Sequence, residues 1–360
     1  MPQTMEALVF RAPGEWGLEA YPVPKIQKDD DVLLKVNAAS ICGTDLHILS
    51  VPPGHPATQG SILGHEYTAT VVDSGAAVQH LKPGDHVVID PNVTCGLCEY
   101  CRLGMSNMCV NMTTLGIFIH GGLAEYNVAP ARALHKISAA VPAHHATLAE
   151  PLSCVFNALE KAPLTPGESV AIYGGGPIGL FFLMLYKAAG AGQTFIVEPV
   201  EFRRKVARDT GASAAIDPRA EDAAAAIKSA TRIGADIVVD ATGSSLTDCI
   251  AAVRRGGRVV LFGMNQHSTG QVKQNEITRY EISIIGSYIQ RTAFPKVVRM
   301  LESNLLPLDK VITHRIKLAQ VGEGTSAIIV LPWSAGSART RWKSRSPVGP
   351  DSSFHAIKSA

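Results

Sequence analysis

Four cysteines stand close together in the pattern Cys95-x2-Cys98-x2-Cys101-x7-Cys109. Thiolates at this spacing suit one tetrahedral zinc ion, and four of them leave no position for water or substrate. The pattern therefore predicts a structural zinc that fastens a lobe of the fold. The alternative is a pair of disulfides. The chain begins MPQTMEALVF, without a charged and then apolar signal segment, so we expect free thiols and a cytoplasmic protein.

A second, unequal set of candidate ligands lies upstream, in Cys42-Gly-Thr-Asp-Leu-His47 and Gly64-His65-Glu66. A catalytic zinc needs three protein ligands and one open position. Cys42, His65 and a carboxylate from Glu66 or Glu150 would supply such a set. A lone Cys or His is more often a structural residue, so the prediction depends on the combination.

Two further residues of the first motif, Thr44 and His47, suit a proton relay. A hydroxyl both donates and accepts a hydrogen bond, and an imidazole titrates near neutral pH. Hydride transfer from an alcohol to a nicotinamide needs such a route, because the alcohol must also lose its proton. A Lewis-acidic zinc would stabilise the developing alkoxide.

A glycine-rich turn follows the β-like run Val170–Tyr173, with Gly174, Gly176 and Gly179 in the order Gly-x-Gly-x-x-Gly. The first glycine permits a tight turn, the second lets a pyrophosphate approach the backbone, and the third lets helix pack on strand. Glu198 stands nineteen residues after Gly179, at the end of the next β-like run, where it can bind a ribose diol. This favours NAD over NADP, although the nearby Arg203 keeps the alternative open.

Composition sets the limits of these hypotheses. The chain has 360 residues, 46% hydrophobic and 18% charged, with a formal net charge of +2. Nothing in this balance favours nucleic acid or an anionic membrane as a partner, so we expect a small-molecule substrate. The uncharged run Ser169–Tyr186 is long enough to resemble a membrane span, but its glycines and Pro177 would break a helix early.

The hydrophobic pattern of the sequence changes along the chain and predicts two domains. Residues 1–155 carry short alternating runs typical of antiparallel strands. Residues 156–295 alternate apolar β-like runs with Ala-rich helical segments, which is typical of a parallel sheet; the runs are 169–173, 194–197, 236–240 and 258–262. Residues 296–332 return to a helix and then to a β-like run at 311–318, which we expect to complete the first domain. Residues 333–360 become Ser- and Arg-rich without periodicity, and we expect a disordered tail.

Together these motifs resemble those of the zinc-dependent medium-chain alcohol and polyol dehydrogenases, a family that includes sorbitol and threonine dehydrogenases. The resemblance covers about residues 5–325 and adds Glu150-Pro151 and Gly256–Gly263 to the motifs above. It implies an α/β protein with a GroES-like, β-rich catalytic domain, a Rossmann domain with a doubly wound parallel sheet, two zinc ions per chain, and dimers or tetramers.

The resemblance also assigns roles by position. It implies that Cys42, His65 and Glu66 bind the catalytic zinc, with Glu150 as a fourth ligand or a partner of the zinc-bound water. The residues that it implies for NAD binding are Gly174, Gly176, Pro177, Ile178, Gly179, Glu198, Arg203, Phe262, Gly263, Met264, Ser287, Tyr288 and Ile289.

The sequence departs from the family pattern in two places, at positions that bear on the substrate and at the C terminus. Sorbitol dehydrogenases carry Tyr after the relay His and a late Arg-Tyr pair, whereas this chain has Ile48 and Ile289-Gln290. Fewer polar partners favour a less hydroxylated secondary alcohol, a diol or an amino alcohol. The final segment also replaces the usual closing helix and strand.

The function that the residues and the resemblance favour is zinc-dependent transfer of a hydride from a secondary alcohol or polyol to NAD, which gives the ketone. The alternatives are a primary alcohol dehydrogenase of the same family and an NAD-binding sensor without turnover.

Overall fold

A computed structural model describes residues 2–321 and, as backbone only, residues 329–331. The tail predicted from Trp333 onward lies outside these residues. The chain forms two compact units. The first holds the described residues up to Pro151, Phe294–Ser303 and those from Ile312 onward. The second holds Leu152–Ala293 and Asn304–Val311.

The second unit is built on a parallel sheet of six strands in the order β12-β11-β10-β13-β14-β15. Its strands are β10 (Ser169–Tyr173), β11 (Gln193–Val197), β12 (Ala214–Ile216), β13 (Ala235–Asp240), β14 (Val253–Leu261) and β15 (Ser283–Gly286). Ala171, Val238 and Val259 lie side by side in register and are fully buried. Parallel strands are usually buried on both faces of the sheet, which explains why these strands are nearly continuous apolar runs in the sequence.

Helices connect these parallel strands, as crossover connections require. They are α5 (Pro177–Ala188), α6 (Glu201–Thr210), α7 (Ala223–Thr231), α8 (Leu246–Ala252) and α9 (Gln274–Arg279), and helix α4 (Ala149–Lys161) leads into the unit. Helix α5 is buried over most of its length, from Gly179 to Tyr186. That burial explains why its sequence is apolar enough to resemble a membrane span. Every helix in the described part of the chain is too short or too polar to cross a bilayer.

The first unit is mainly antiparallel. Its larger sheet has the order β16-β17-β3-β4-β5-β9, and β8 also pairs with β3. The strands are β3 (Asp31–Ser40), β4 (Glu66–Ser74), β5 (His86–Ile89), β8 (Tyr126–Pro130), β9 (Leu134–Lys136), β16 (Arg315–Lys317) and β17 (Ile329–Leu331). Val36, Ala69 and Val87 form one row across three strands, and their burial ties the sheet to its core. Burying one such valine stabilises the fold by roughly 1.5–3 kcal/mol.

Smaller elements complete the first unit. A hairpin joins β1 (Thr4–Ala12) to β2 (Glu15–Pro22), and β6 (Asn92–Val93) pairs with β7 (Thr113–Thr114). The short helices are α1 (Gly43–Leu49), α2 (Glu99–Arg102) and α3 (Ala143–Ala146), followed late in the chain by α10 (Phe294–Glu302). The β-like text at 311–318 yields only the three residues of β16, since a 3-10 turn at Leu308–Lys310 precedes it and another at Leu318–Gln320 follows.

Candidate metal and cofactor sites

Cys42 is the N-cap of helix α1. The backbone N–H of Cys42 donates to Asp45 Oδ2 at 2.8 Å, and the N–H of Thr44 donates to Cys42 Sγ at 3.5 Å. The two bonds form a capping box, which satisfies N–H groups that a helix start otherwise leaves without partners. The thiol is therefore held in a fixed position at the helix N terminus.

His65 and Glu66 reach the same place from the start of strand β4, and both are buried. Glu66 lies opposite Ser40 of β3 in the sheet, and the Ser40 hydroxyl donates to its Oε2. Ligand atoms of Cys42, His65 and Glu66 all lie within 4.8 Å of one another. The structure thus brings Cys42 together with two adjacent residues that lie more than twenty positions later in the chain.

The electrostatics of this group suit a bound cation. Burial and the neighbouring Glu66 raise the pKa of the Cys42 thiol to about 11. Burial also raises the pKa of Glu66. Burial alone would lower the pKa of His65, but its interactions with Cys42 and Asp45 outweigh burial and raise the pKa well above its ordinary value. A thiolate, an imidazole and a carboxylate are ligands that zinc accepts, and a cation among these three groups would favour their deprotonated forms.

Asp45 is a residue whose contribution the sequence did not reveal. It is buried, and its Oδ1 lies 3.6 Å from His65 Nδ1. A carboxylate at this position can orient a ligand imidazole through its second nitrogen. The Cys-x-x-Asp spacing is typical of a capping box, in which the side chain at the third helical position bonds the N-cap backbone. This spacing was the one sequence feature that could have placed the Asp45 carboxylate near Cys42.

The other candidates around this group are placed as follows. Thr44 Oγ1 lies 3.6 Å from Cys42 Sγ. His47 is exposed, three residues farther along helix α1 and so on the same face as Thr44. Glu150 is buried in the first turn of α4. Within the described residues, it does not belong to the group of ligand atoms formed by Cys42, His65 and Glu66.

Cys95, Cys98, Cys101 and Cys109 also form one group, with their sulfurs within 4.8 Å of one another, and all are free thiols. The N–H groups of Leu97 and Cys98 donate to Cys95 Sγ and lower its pKa to about 6. Backbone donors that favour a thiolate are what a zinc site requires. Four sulfurs with no other ligand among them fit a closed, structural zinc site.

The predicted glycine turn joins β10 to α5. Gly174 has φ +106°, a left-handed conformation that favours glycine, and Gly176 is the N-cap of α5, with Pro177 at its first position and Ile178 next. A Cβ atom on Gly179 would lie 1.9 Å from the carbonyl oxygen of Gly174. The third glycine therefore allows the helix to pack directly on the turn, as the motif predicts.

Glu198 follows strand β11 and is buried, with both carboxylate oxygens in use. Oε2 accepts a hydrogen bond from Gly175 N at 2.8 Å, and Oε1 accepts one from Val200 N at 2.9 Å. Arg203 Nη1 lies 3.5 Å from Oε2. The acidic residue of the motif is thus fastened to the glycine turn itself.

Two loops carry the remaining candidates for cofactor binding, residues 262–264 after β14 and residues 287–289 after β15. In the first loop, Phe262 packs edge-on against Phe182, the N–H of Gly263 donates to the carbonyl of Asp240 at 2.9 Å, and Met264 is exposed. In the second loop, Ile289 has φ +35°, a strained value for a β-branched residue.

Asn157 holds this second loop from helix α4. Its Nδ2 atom lies 2.7 Å from the carbonyl oxygen of Ile289, 3.3 Å from that of Tyr288 and 3.4 Å from Ser287 Oγ. The sequence gave no sign of this role, since a single Asn within a helical pattern does not indicate which distant carbonyls it contacts.

Two family models match the chain. Residues 28–139 match the alcohol dehydrogenase GroES-like domain, and residues 177–303 match the zinc-binding dehydrogenase domain. Together with the parallel sheet around the glycine turn, these matches confirm the predicted GroES-like and Rossmann domains.

Individual proteins resemble the chain over most of its length. D-arabinitol dehydrogenase 1 of Uromyces fabae is 34% identical over 331 residues, which cover 90% of this chain and 93% of that protein. L-threonine 3-dehydrogenase of Pyrococcus horikoshii is 34% identical over 334 residues, covering 88% and 93%. A Sinorhizobium meliloti structure, described as a zinc-binding dehydrogenase bound to NADP, is 30% identical with a TM-score of 0.88, covering 92% and 100%. The chain therefore belongs to the family of zinc-dependent medium-chain alcohol and polyol dehydrogenases.

Proposed function

We propose that this protein oxidises a small secondary alcohol or polyol to the ketone, reversibly, with transfer of the hydride to NAD. One observation carries the proposal. A half-buried thiol, a buried imidazole and a buried carboxylate converge within 4.8 Å in a chain that also has a complete dinucleotide-binding turn. A protein that only binds nucleotides has no use for an open metal site beside a proton relay.

Cys42, His65 and Glu66 would hold the catalytic zinc, with Glu150 as an additional ligand or as a partner of bound water. A zinc ion in such a site supplies Lewis acidity towards the substrate oxygen. The protein would hold the ligands in position. The capping box fixes Cys42, and the hydrogen bond from Ser40 fixes Glu66. The four lobe cysteines would hold a second, structural zinc.

Thr44 and His47 would carry the proton away from the substrate. They lie on one face of helix α1, and Thr44 Oγ1 is close to the Cys42 sulfur while His47 is exposed. A hydroxyl can accept the substrate proton and pass on its own, and an exposed imidazole can exchange the proton with water. This order, hydroxyl inside and imidazole outside, is the one a relay requires.

The cofactor would bind with its pyrophosphate at the N terminus of α5 and its adenosine ribose at Glu198. The unsatisfied N–H groups of a helix start attract the pyrophosphate. The buried Glu198 carboxylate can accept hydrogen bonds from ribose hydroxyls and would repel a 2′-phosphate. Phe262–Met264 and Ser287–Ile289 would enclose the nicotinamide.

The sequence favours a substrate with fewer hydroxyl groups than sorbitol. Ile48 and Ile289-Gln290 stand where sorbitol dehydrogenases carry Tyr and an Arg-Tyr pair, so this chain has fewer polar partners of that kind for additional hydroxyl groups. The relatives named for D-arabinitol and L-threonine span the range to be tested. We further propose a cytoplasmic homodimer or homotetramer.

The test is the formation of NADH with sorbitol, D-arabinitol, L-threonine, 2,3-butanediol and ethanol, together with the zinc content of the same sample. We expect turnover with a secondary alcohol and about two zinc ions per chain. Dominant activity with ethanol would indicate a primary alcohol dehydrogenase. Binding of NADH without turnover on any alcohol would contradict the enzymatic proposal.

A further inference from the structure

We propose that Tyr67 and Asn127 form a buried pair that positions the proposed zinc ligands His65 and Glu66. Tyr67 follows the two ligands directly in the chain, and Asn127 lies on β8. Successive side chains of a strand point to opposite faces, so the pair would act from the other side of β4, through the backbone. The inference rests on the proposed function in one respect, namely that His65 and Glu66 bind the catalytic metal.

The chain just before the ligands is held by residues 121–123. Gly64 immediately precedes His65, and its carbonyl accepts a hydrogen bond from Gly122 N at 2.8 Å. The adjoining N–H groups of residues 121–123 donate in the same way to the carbonyls of residues 62–63, at 2.8 and 2.9 Å. The path of the chain into His65 therefore depends on where residues 121–123 lie.

Tyr67 holds the chain from the other end of the ligand pair. It is 1% exposed, and its ring lies against Gly122, the residue that also bonds Gly64. A Cβ atom on Gly122 would come within 2.2 Å of Tyr67 Cγ, so only glycine allows this contact. One residue thus contacts the chain both before and after His65 and Glu66.

Asn127 completes the connection between Tyr67 and this segment. The Tyr67 hydroxyl donates to Asn127 Oδ1 at 2.8 Å. Asn127 Nδ2 donates to the carbonyls of His120 and Gly121, at 2.9 and 3.0 Å, so both hydrogens of the amide are used. Asn127 is 1% exposed, and a buried polar network with all its bonds made is rigid. The pair therefore fixes Tyr67 relative to residues 120–122, and the two ligands with it.

A metal site depends on such fixed positions, because coordination tolerates shifts of only roughly 0.2 Å in a ligand atom. Loss of the Tyr67 hydroxyl would leave Asn127 Oδ1 without its donor and release the ring from the segment that holds Gly64. We expect the ligands to shift as a result, since one peptide bond joins Tyr67 to Glu66. Replacing a residue that holds a metal ligand typically lowers metal affinity by roughly 10- to 100-fold.

The experiment measures zinc binding and the visible spectrum of the Co²⁺-loaded protein. The variants are Tyr67→Phe, Asn127→Leu and the double variant. Competition with a chelator gives the dissociation constant of each zinc ion, and Cys42→Ser identifies the ion held at the catalytic site. Subtracting the Co²⁺ spectrum of Cys42→Ser leaves the spectrum of that site, which reports its coordination geometry.

We expect Tyr67→Phe to weaken the catalytic zinc by roughly tenfold or more and to shift the Co²⁺ spectrum of that site. The zinc of the four cysteines should be unchanged. Asn127→Leu should have the same effects. The double variant should weaken the catalytic zinc no further than Asn127→Leu alone, because both changes break one hydrogen-bonded connection.

Two controls separate positioning from a general loss of stability. Tyr186→Phe removes the hydroxyl of another buried tyrosine, which donates to Ala162 O at 3.2 Å in the second unit. Thr68→Val removes a buried hydroxyl from β4 itself, one residue after Tyr67, where it donates to Val87 O at 2.8 Å. Both should lower the Tm and leave the two zinc constants and the Co²⁺ spectrum unchanged.

A Tyr67→Phe protein that loses stability as Tyr186→Phe does, but keeps its zinc affinity and its Co²⁺ spectrum, would overturn the proposal. So would equal weakening of both zinc ions, an equal effect of Thr68→Val, or multiplying effects in the double variant. If Cys42→Ser loses no zinc, the metal assignment is refuted and this inference with it. Because metal binding is the readout, zinc held as expected without oxidation of any alcohol would refute the proposed function alone.

Discussion

At the scale of single residues, the proposed function makes Cys42 the link between metal binding and turnover. Replacing Cys42 with Ser keeps the shape of the side chain but exchanges a thiolate for a hydroxyl, which is a much weaker zinc ligand. We expect Cys42→Ser to lose about one zinc ion per chain and to lower kcat by roughly 100-fold or more, with NADH affinity unchanged. Metal analysis, steady-state rates and a fluorescence titration check these three outcomes, and retention of full activity would contradict the assignment.

The candidate ligands Cys42, His65 and Glu66 could be named from sequence, because Cys, His and Glu in short motifs already indicate zinc chemistry, and the structure brings their ligand atoms together. Asp45 and Asn157 could not be assigned in the same way. Their contributions depend on which atoms the fold brings near them, namely His65 Nδ1 and the carbonyl of Ile289. Supporting residues carry no type-specific signal, since the same residues are common in helices and turns.

At the scale of elements, helix α4 positions the loop after β15 through Asn157. Replacing Asn157 with Leu keeps its volume but removes the amide that holds the strained Ile289. We expect a stability loss of about 1–3 kcal/mol and weaker NADH binding, because the part-buried carbonyls of Tyr288 and Ile289 lose their donor. Lys161→Met is the matched control: Lys161 lies one turn along α4 and donates to Gly286 O at 3.0 Å on an exposed surface. It should change stability little, and an equal effect of the two variants would contradict the role of Asn157.

Asp236 joins β13 to its neighbours in the parallel sheet. It accepts from Ser169 N at 2.8 Å, from Ser169 Oγ at 2.7 Å and from Arg254 Nε at 2.5 Å. Burial alone would raise the pKa of Asp236, but these donors outweigh it and hold the pKa below its ordinary 3.8. The ionised Asp236 therefore stabilises the fold fully above pH 3.8, which is its pKa in the unfolded chain. This stabilisation is lost as the pH falls through the lower pKa that Asp236 has in the folded protein.

Asp236→Asn tests this dependence on pH. We expect the variant to be less stable than wild type by about 1–2 kcal/mol at neutral pH, with the difference shrinking as the pH falls below the ordinary value. Urea unfolding at a series of pH values measures it. A difference that stays constant down to acid pH would show that the charge of Asp236 does not contribute.

The parallel sheet was predictable because its strands are apolar runs followed by segments with a helical sequence pattern. The start of β14 was not. The sequence indicates a strand from Arg258, whereas β14 begins at Val253, which lies opposite Ala235. The register with β13 is irregular between these two points and resumes at Arg258, so the sequence-based start marks where regular pairing begins. Glycines such as Gly256 and Gly257 have low β propensity, which is why the earlier residues do not read as a strand. The opposite occurs at 311–318, where β-like text has a partner strand only at Arg315–Lys317.

At the scale of the whole molecule, the two proposed zinc sites should differ in what their loss does. The four-cysteine lobe has little core of its own: Leu97, Tyr100, Leu103 and Val110 are exposed by 73%, 44%, 60% and 68%. Apolar burial of these side chains therefore contributes little to holding residues 95–110 in place, and zinc–thiolate bonds would do so. The Cys42 group, by contrast, lies beside the buried ends of β3 and β4, which are held together by backbone pairing.

Cys98→Ser should therefore lose about one zinc ion and open the lobe to proteolysis, with a lowered Tm. Cys42→Ser should lose the same amount of zinc and keep both the Tm and the protease resistance. Limited proteolysis with mapping of the cleavage sites, beside metal analysis of both variants, makes the comparison. Cleavage confined to residues 95–110 in Cys98→Ser alone is the expected result. Equal resistance of the two variants would contradict a structural role for the lobe zinc, and equal sensitivity would mean that both metals support the fold.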